Sequence, residues 1–343
     1  MNYFQRYLIE EFAEDYTEGH LSRRQALKLI ASVTGSSLIA SSILAACAPP
    51  PAETDVSPPA PTNTPQPTAE PTAAQTASPT HTQPAAAAPI STASPTATPG
   101  ESAPEPQGTV LPDDPDIQAG EVNFPGEQNA NLLGYLARPA GKESRPVVLV
   151  CHENRGLTGY IQDVTRRLAK AGYVALAVDL LSRQGGTAAV SSDQVPGALS
   201  AISPDQYVQD FRSGWQHLGT QAFAQADRVG MVGFCYGGGV TWLVATRMPE
   251  LKAAVPFYGP PPPLADLANI QAAVLAVYGG LDTRITSSAA DVEAEMKKNG
   301  KIFEKLIYPD ANHAFHNDTG SRFSPQAAQD AWKRTLAWYQ QYL

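Results

Sequence analysis

From Glu121 onward the apolar positions follow two rhythms. Glu121-Val122-Asn123-Phe124 and Leu132-Leu133-Gly134-Tyr135-Leu136 are short alternating stretches separated by residues 126–131, the pattern of an antiparallel hairpin at a sheet edge. The run Val147-Val148-Leu149-Val150, closing at Cys151, is apolar without interruption, as in a strand covered on both faces. Over residues 160–171 the spacing becomes helical, with Ile161, Val164, Leu168 and Ala171 on one face. Strand and helix then alternate: strand 173–178, helix 205–221, strand 229–234, a helix from Tyr236, strands 253–257 and 273–278, helix 286–299, strand 303–308, helix 325–342. Alternation of this length specifies the α/β class, a mostly parallel, doubly wound sheet with helices on both faces. In that architecture ligands bind beyond the carboxyl ends of the strands. Glu153, Cys235, Asp282 and His313 each follow a predicted strand and are expected there.

The first third of the chain is written in a different alphabet. Arg23-Arg24 stand ahead of a moderately apolar stretch, residues 29–46, diluted with Ser, Thr and Gly, which closes with Leu44-Ala45-Ala46-Cys47. The arginine pair resembles a twin-arginine export signal and the closing tetrad a bacterial lipobox, which implies cleavage before Cys47 and acylation of its thiol. An uncleaved membrane anchor is the alternative, although the apolar run falls short of the ~20 residues a span requires. The acidic lead from Glu10 to Glu18 departs from the short basic region of an export signal. Residues 48–112 are Pro, Ala, Thr and Ser with few large apolar side chains and should stay extended, a tether reaching up to ~200 Å at ~3.1 Å per residue. The chain thus divides into an export signal with lipobox (1–47), a disordered tether (48–112) and a catalytic domain (113–343). The expected location is outside the cytoplasm, with membrane contact only through lipid at Cys47.

Composition narrows the function. The 343 residues carry a formal net charge of −9, with no basic run beyond Arg23-Arg24 and Arg166-Arg167, so no electrostatic footprint for nucleic acid exists. The three cysteines, Cys47, Cys151 and Cys235, are too few and too unevenly spaced for a disulfide framework or a zinc site.

Gly233-Phe234-Cys235-Tyr236-Gly237 follows a strand and opens a helix, matching G-x-S-x-G with Cys for Ser. Glycines flank the nucleophile because the tight turn leaves no room for neighbouring Cβ atoms. Helix N-terminal amides favour a thiolate there. An acid and then a histidine must follow in sequence. Asp282, in Gly279-Gly280-Leu281-Asp282, is preferred over Asp291 on a helix and Asp310 in the histidine loop. His313 is preferred over His316, one step beyond, and over His217 inside a helix. His313 would move protons while Asp282 holds its tautomer.

Together with His152-Glu153-Asn154-Arg155-Gly156, these motifs give residues 115–343 a clear resemblance to the dienelactone hydrolase family, cysteine members of the α/β-hydrolase fold. The resemblance implies that Glu153 contacts the cysteine and helps to activate it when substrate binds. The backbone N–H groups of Tyr236 and Asn154 would form the oxyanion hole. A small-molecule ester or lactone is the implied substrate, cleaved through a thioester acyl-enzyme, with no metal or organic cofactor and a monomeric domain. His152 is expected to support its loop. Family members acting on dienelactone hold its carboxylate with arginines, one a few residues after the catalytic histidine; here Asn317 stands there, and the segment 191–209 has none. A neutral amide does not reproduce a guanidinium clamp, which points to an uncharged ester or lactone, with Arg183 or Arg322 as distant substitutes. Two alternatives stay open: a thioesterase or peptidase on the same residues, and a non-catalytic surface binding protein. A Cys151–Cys235 disulfide, which export to an oxidising compartment would allow, is disfavoured because the elbow lifts Cys235 off the sheet.

Overall fold

The computed structural model describes residues 1–47 and 108–343. Most of the tether expected over 48–112 lies outside the described residues. Its last few residues do not belong to a tether: Val110 is buried, its N–H donates to Asp163 Oδ1 at 2.8 Å, and its carbonyl accepts from Arg166 Nε at 2.5 Å.

The N-terminal segment departs most from expectation. It is three helices packed on the domain: α1 (Tyr3–Thr17), α2 (Arg23–Thr34) and α3 (Ser37–Cys47). Both α1 and α2 begin with a capping box, Asn2 with Gln5 and Ser22 with Gln25, which satisfies the first free amides. The apolar stretch 29–46 is not one continuous helix, because α2 ends at Gly35 in the left-handed conformation (φ 69°) before α3 restarts. Among the described residues no helix is long and apolar enough to cross a membrane. Hence the foldable body is larger than residues 113–343: Phe4, Leu8, Phe12, Leu29, Ile30 and Leu44 all join the main core.

The rest follows the predicted order. Strands β1 (Ile117–Pro125) and β2 (Asn131–Pro139) form the antiparallel edge hairpin. After them come β3 (Arg145–Cys151), α4 (Gly159–Lys170), β4 (Val174–Asp179), a short α5 (Val195–Ser200), α6 (Pro204–Gly219), β5 (Ala224–Phe234) and α7 (Tyr236–Arg247). The chain closes with β6 (Ala253–Phe257), β7 (Ala273–Gly279), α8 (Thr283–Thr286), α9 (Ala289–Lys298), β8 (Phe303–Tyr308) and α10 (Pro325–Tyr342). The predicted helix 286–299 is α9, which starts three residues later, at Ala289; α8 is a separate short turn before it, parted from it by Ser287-Ser288.

The eight strands lie in the order β1-β2-β4-β3-β5-β6-β7-β8, parallel from β4 through β8 and antiparallel at the hairpin. The inner strands β3, β4, β6 and β7 are covered on both faces, as continuous Val, Leu and Ala runs require. Register sets the site. Cys151 pairs with Gly233, Phe234 with Phe257 and Gly279 with Tyr308, so the loops after β3, β5, β7 and β8 emerge along one edge.

Candidate active site

The turn between β5 and α7 holds Cys235 at φ 57°, ψ −120°, a strained conformation for a residue with a side chain. Packing enforces it. A Cβ on Gly233 would stand 2.1 Å from the Gly237 carbonyl oxygen, and one on Gly237 2.4 Å from that of His152. Both flanking positions therefore accept only glycine, and the turn sets Cys235 at the mouth of helix α7. The N–H groups of Tyr236 and Asn154 have no acceptor among the described residues.

Asp282 and His313 meet beside this turn. Backbone bonds lace their loops together, Gly280 N–H to the Tyr308 carbonyl at 2.7 Å and Leu281 N–H to that of Ala311 at 3.0 Å. Asp282 Oδ2 lies 2.6 Å from His313 Nδ1. The rivals Asp291 and Asp310 are exposed. Burial pushes the Asp282 carboxyl up, but the His313 charge and hydrogen bond outweigh it and leave it below the ordinary carboxylate value. Burial likewise opposes charging His313, yet Asp282 and the neighbouring thiol hold it well above 6.5.

Two other histidines near the site have structural tasks. His152 Nδ1 donates to the Glu153 carbonyl at 2.8 Å and Nε2 accepts from Leu180 N–H at 3.2 Å, so it braces its loop. His316 bonds the Tyr160 hydroxyl at 2.7 Å and stacks on Phe234; burial lowers its pKa to about 3. Cys151 and Cys235 are both free thiols, although their strands are neighbours.

Glu153 is buried near the site, but its Oε2 accepts from Asn317 Nδ2 at 2.9 Å. Thus the amide standing in the expected arginine position binds this carboxylate. Burial raises Glu153 to about 7. The carboxylate touching the thiol is a different one, Glu11 of α1, whose oxygens lie 3.5 and 3.6 Å from Cys235 Sγ. Glu11 Oε1 also accepts from Asn154 Nδ2 at 2.8 Å. Tyr7, one turn earlier, places its hydroxyl 3.3 Å from Cys235 Sγ and 3.5 Å from His313 Nε2. The substitutes proposed for the missing clamp are committed elsewhere: Arg183 binds both oxygens of Asp210 at 2.7 Å, and Arg322 pairs with Asp15 and Glu18 of α1. Arg284, two residues after Asp282, brings a cation to the site. It bonds Glu14 at 2.9 Å and lies 4.7 Å above the Tyr7 ring, with both terminal nitrogens buried and lacking acceptors among the described residues.

Sequence reasoning missed Tyr7, Glu11 and Arg284. The signal was present, since Phe4, Tyr7, Leu8, Glu11 and Phe12 recur at helical spacing behind an Asn-x-x-Gln cap. Among the described residues, Glu11, Cys235 and His313 also form a cluster with metal-ligating atoms, all within 4.8 Å of one another, a grouping that exists only with α1 in place.

Residues 132–343 match the family model described as the dienelactone hydrolase family. The chain belongs to the dienelactone hydrolase family. A relative in Methylorubrum extorquens named "Putative carboxymethylenebutenolidase" is 36% identical over 249 residues, covering 69% of this chain and 85% of that protein. A Bradyrhizobium protein named "Probable 2-oxo-3-(5-oxofuran-2-ylidene)propanoate lactonase" is 33% identical over 230 residues, covering 64% of this chain and 92% of its own. Among solved structures, one titled as a "Putative Dienelactone Hydrolase" from Klebsiella pneumoniae superposes with a TM-score of 0.62 at 32% identity, over 66% of this chain and 99% of that one. That protein forms its fold from a chain the size of the matched part alone. This dienelactone hydrolase family member is accordingly a hydrolase of the carboxylic-ester class, and α1, α2 and α3 lie outside the family match.

Proposed function

We propose that the chain hydrolyses an ester or lactone with Cys235 as nucleophile, His313 as proton carrier and Asp282 as its orienting acid. The observation that carries this reading is the buried Asp282–His313 pair, 2.6 Å apart, facing a cysteine held at φ 57° on the turn that opens α7. His313 takes the proton of the Cys235 thiol, and the sulfur attacks the carbonyl carbon. The resulting oxyanion sits toward the free N–H groups of Tyr236 and Asn154. His313 then protonates the departing oxygen, leaving a thioester on Cys235. Water, deprotonated by His313, attacks that thioester and releases the acid, and the proton returns to sulfur. Glu153, whose carboxylate accepts from Asn317, would contact the thiol and help to activate it when substrate binds. The reading extends to export and anchoring through lipid at Cys47, supported by Arg23-Arg24 and the tetrad ending at that residue.

The test uses the chain beginning at Cys47, which retains the whole family match. It should cleave p-nitrophenyl acetate, and Cys235→Ala should not; equal rates for the two would sink the assignment. A panel of neutral and anionic esters, lactones, thioesters and peptides then ranks acyl donors. Radiolabelled palmitate incorporation that vanishes in Cys47→Ala tests the anchor.

A further inference from the structure

Helix α1 occupies the space a substrate must enter. Cys235 is 3% exposed and His313 4%, and the side chains that seal them are Tyr7 at 3% and Glu11 at 5%. The Tyr7 hydroxyl touches nucleophile and base together, where the reaction needs the leaving oxygen and later the water. Glu11 lies against the sulfur and takes the side-chain amide of Asn154, the residue offered as an oxyanion donor. With α1 seated, no acyl group reaches Cys235.

The seating is specific rather than incidental packing. Phe4 lies against the Tyr236 and Tyr207 rings at 5.0 and 5.4 Å between centroids. Asn2 Nδ2 donates to the Ser200 carbonyl at 3.2 Å, and Lys28 of α2 pairs with Asp193, so α1 and α2 also hold down the segment around α5. The acidic lead that suits an export signal poorly has its partners here: Glu14 with Arg284, Asp15 and Glu18 with Arg322. Electrostatics adds to obstruction, since burial and then the Glu11 charge push the Cys235 thiol up, away from the reactive thiolate. Meanwhile Arg23 and Arg24 remain exposed, as do Ala45 and Ala46 just before Cys47.

We propose that helix α1 is an internal inhibitor of the hydrolase, seated in its acyl cleft through Tyr7 and Glu11, and that separation of residues 1–46 from the body unmasks Cys235. This rests on the hydrolase reading above. The segment that resembles an export address would then keep the enzyme silent until that address is removed.

The test compares three proteins: the full chain, the full chain carrying Leu8→Asp with Phe12→Asp, and the chain beginning at Cys47. Two rates are measured for each, alkylation of Cys235 by iodoacetamide, read on its own peptide by mass spectrometry, and hydrolysis of p-nitrophenyl acetate. The full chain should be slower on both by about 100-fold or more, the scale on which two buried apolar anchors govern docking. Adding a synthetic peptide of residues 2–18 to the chain from Cys47 should slow both rates, and a Tyr7→Ala, Glu11→Ala peptide should not. Equal alkylation of the full chain and the chain from Cys47 overturns the inhibitor. So does a chain from Cys47 that alkylates quickly but cleaves ester more slowly than the full chain, because α1 would then be a working part of the enzyme. Alkylation that is fast in the chain from Cys47 and slow in the full chain, with no ester cleavage by any of the three, defeats the hydrolase reading and leaves the occlusion standing.

Discussion

Helix α1 and the loop after β3 each bring a carboxylate toward Cys235, by different physical routes. Glu153 stands two residues beyond the end of β3, on a loop braced by His152 and closed by the Asn317 amide, so the sheet itself fixes its place. Glu11 comes from 224 residues earlier in the chain and reaches the sulfur only because an apolar helix face and a row of ion pairs seat α1. The first position is covalently close to the strand end that defines the site. The second is a docking equilibrium, reversible without unfolding the sheet. A site can therefore be complete and still closed, when its machinery and its cover have separate sources of stability.

The most drastic way to break the comparison is to remove what both carboxylates face. Cys235→Ala in the chain from Cys47 should reduce ester cleavage on the order of 10⁶-fold, as loss of a nucleophile does. Asp282→Ala should cost about 10⁴-fold in kcat, since His313 loses its tautomer and orientation; a drop of only a few-fold would point to another acid. Exchanging the carboxylates one at a time in the full chain separates their influence on the sulfur. Glu11→Gln should move the pH profile of Cys235 alkylation to lower pH, because the negative charge beside the forming thiolate is gone. Glu153→Gln should move it the same way by less, since the Glu153 charge raises that thiol less than the Glu11 charge does.

Stability against pH probes Glu153 in its own right. Glu153 is raised from 4.5 to about 7 in the fold, so the folded state holds that proton more tightly than the unfolded one. Its contribution favours the fold at low pH and is lost as pH rises from 4.5 through about 7. Urea unfolding of Glu153→Gln across that window should show a flatter dependence than the parent chain. The smallest effect is expected at the rim of α1. Arg322→Gln removes the partner of Asp15 and Glu18 and should raise Cys235 alkylation in the full chain by no more than about fivefold, the scale of a partly exposed ion pair.

Much of the domain is legible in the sequence. Buried parallel strands need unbroken apolar runs, the elbow needs its glycines, and the acid and histidine follow in chain order, so Cys235, Asp282 and His313 stood out as local patterns. The fate of the first 47 residues was not legible in the same way. Their composition fits an export address, while the helical face of Phe4, Tyr7, Leu8 and Phe12 has meaning only against a surface it must find, and Glu11 on that face looks like an ordinary acid. Arg284 was overlooked for the same reason, having no motif of its own.

By itself, then, the sequence determined the α/β order of elements, the glycine-flanked turn at Cys235 and the strand ends that carry Asp282 and His313, because each is set by periodicity or by steric demands within a few residues. Only the tertiary structure decided that Asn317 binds Glu153, that Arg284 and Arg322 answer the acids of α1, and that Tyr7 and Glu11 cover Cys235. Those pairings join residues far apart in the chain, and their geometry is set by how helices and loops pack at one edge of the sheet, which no local pattern encodes.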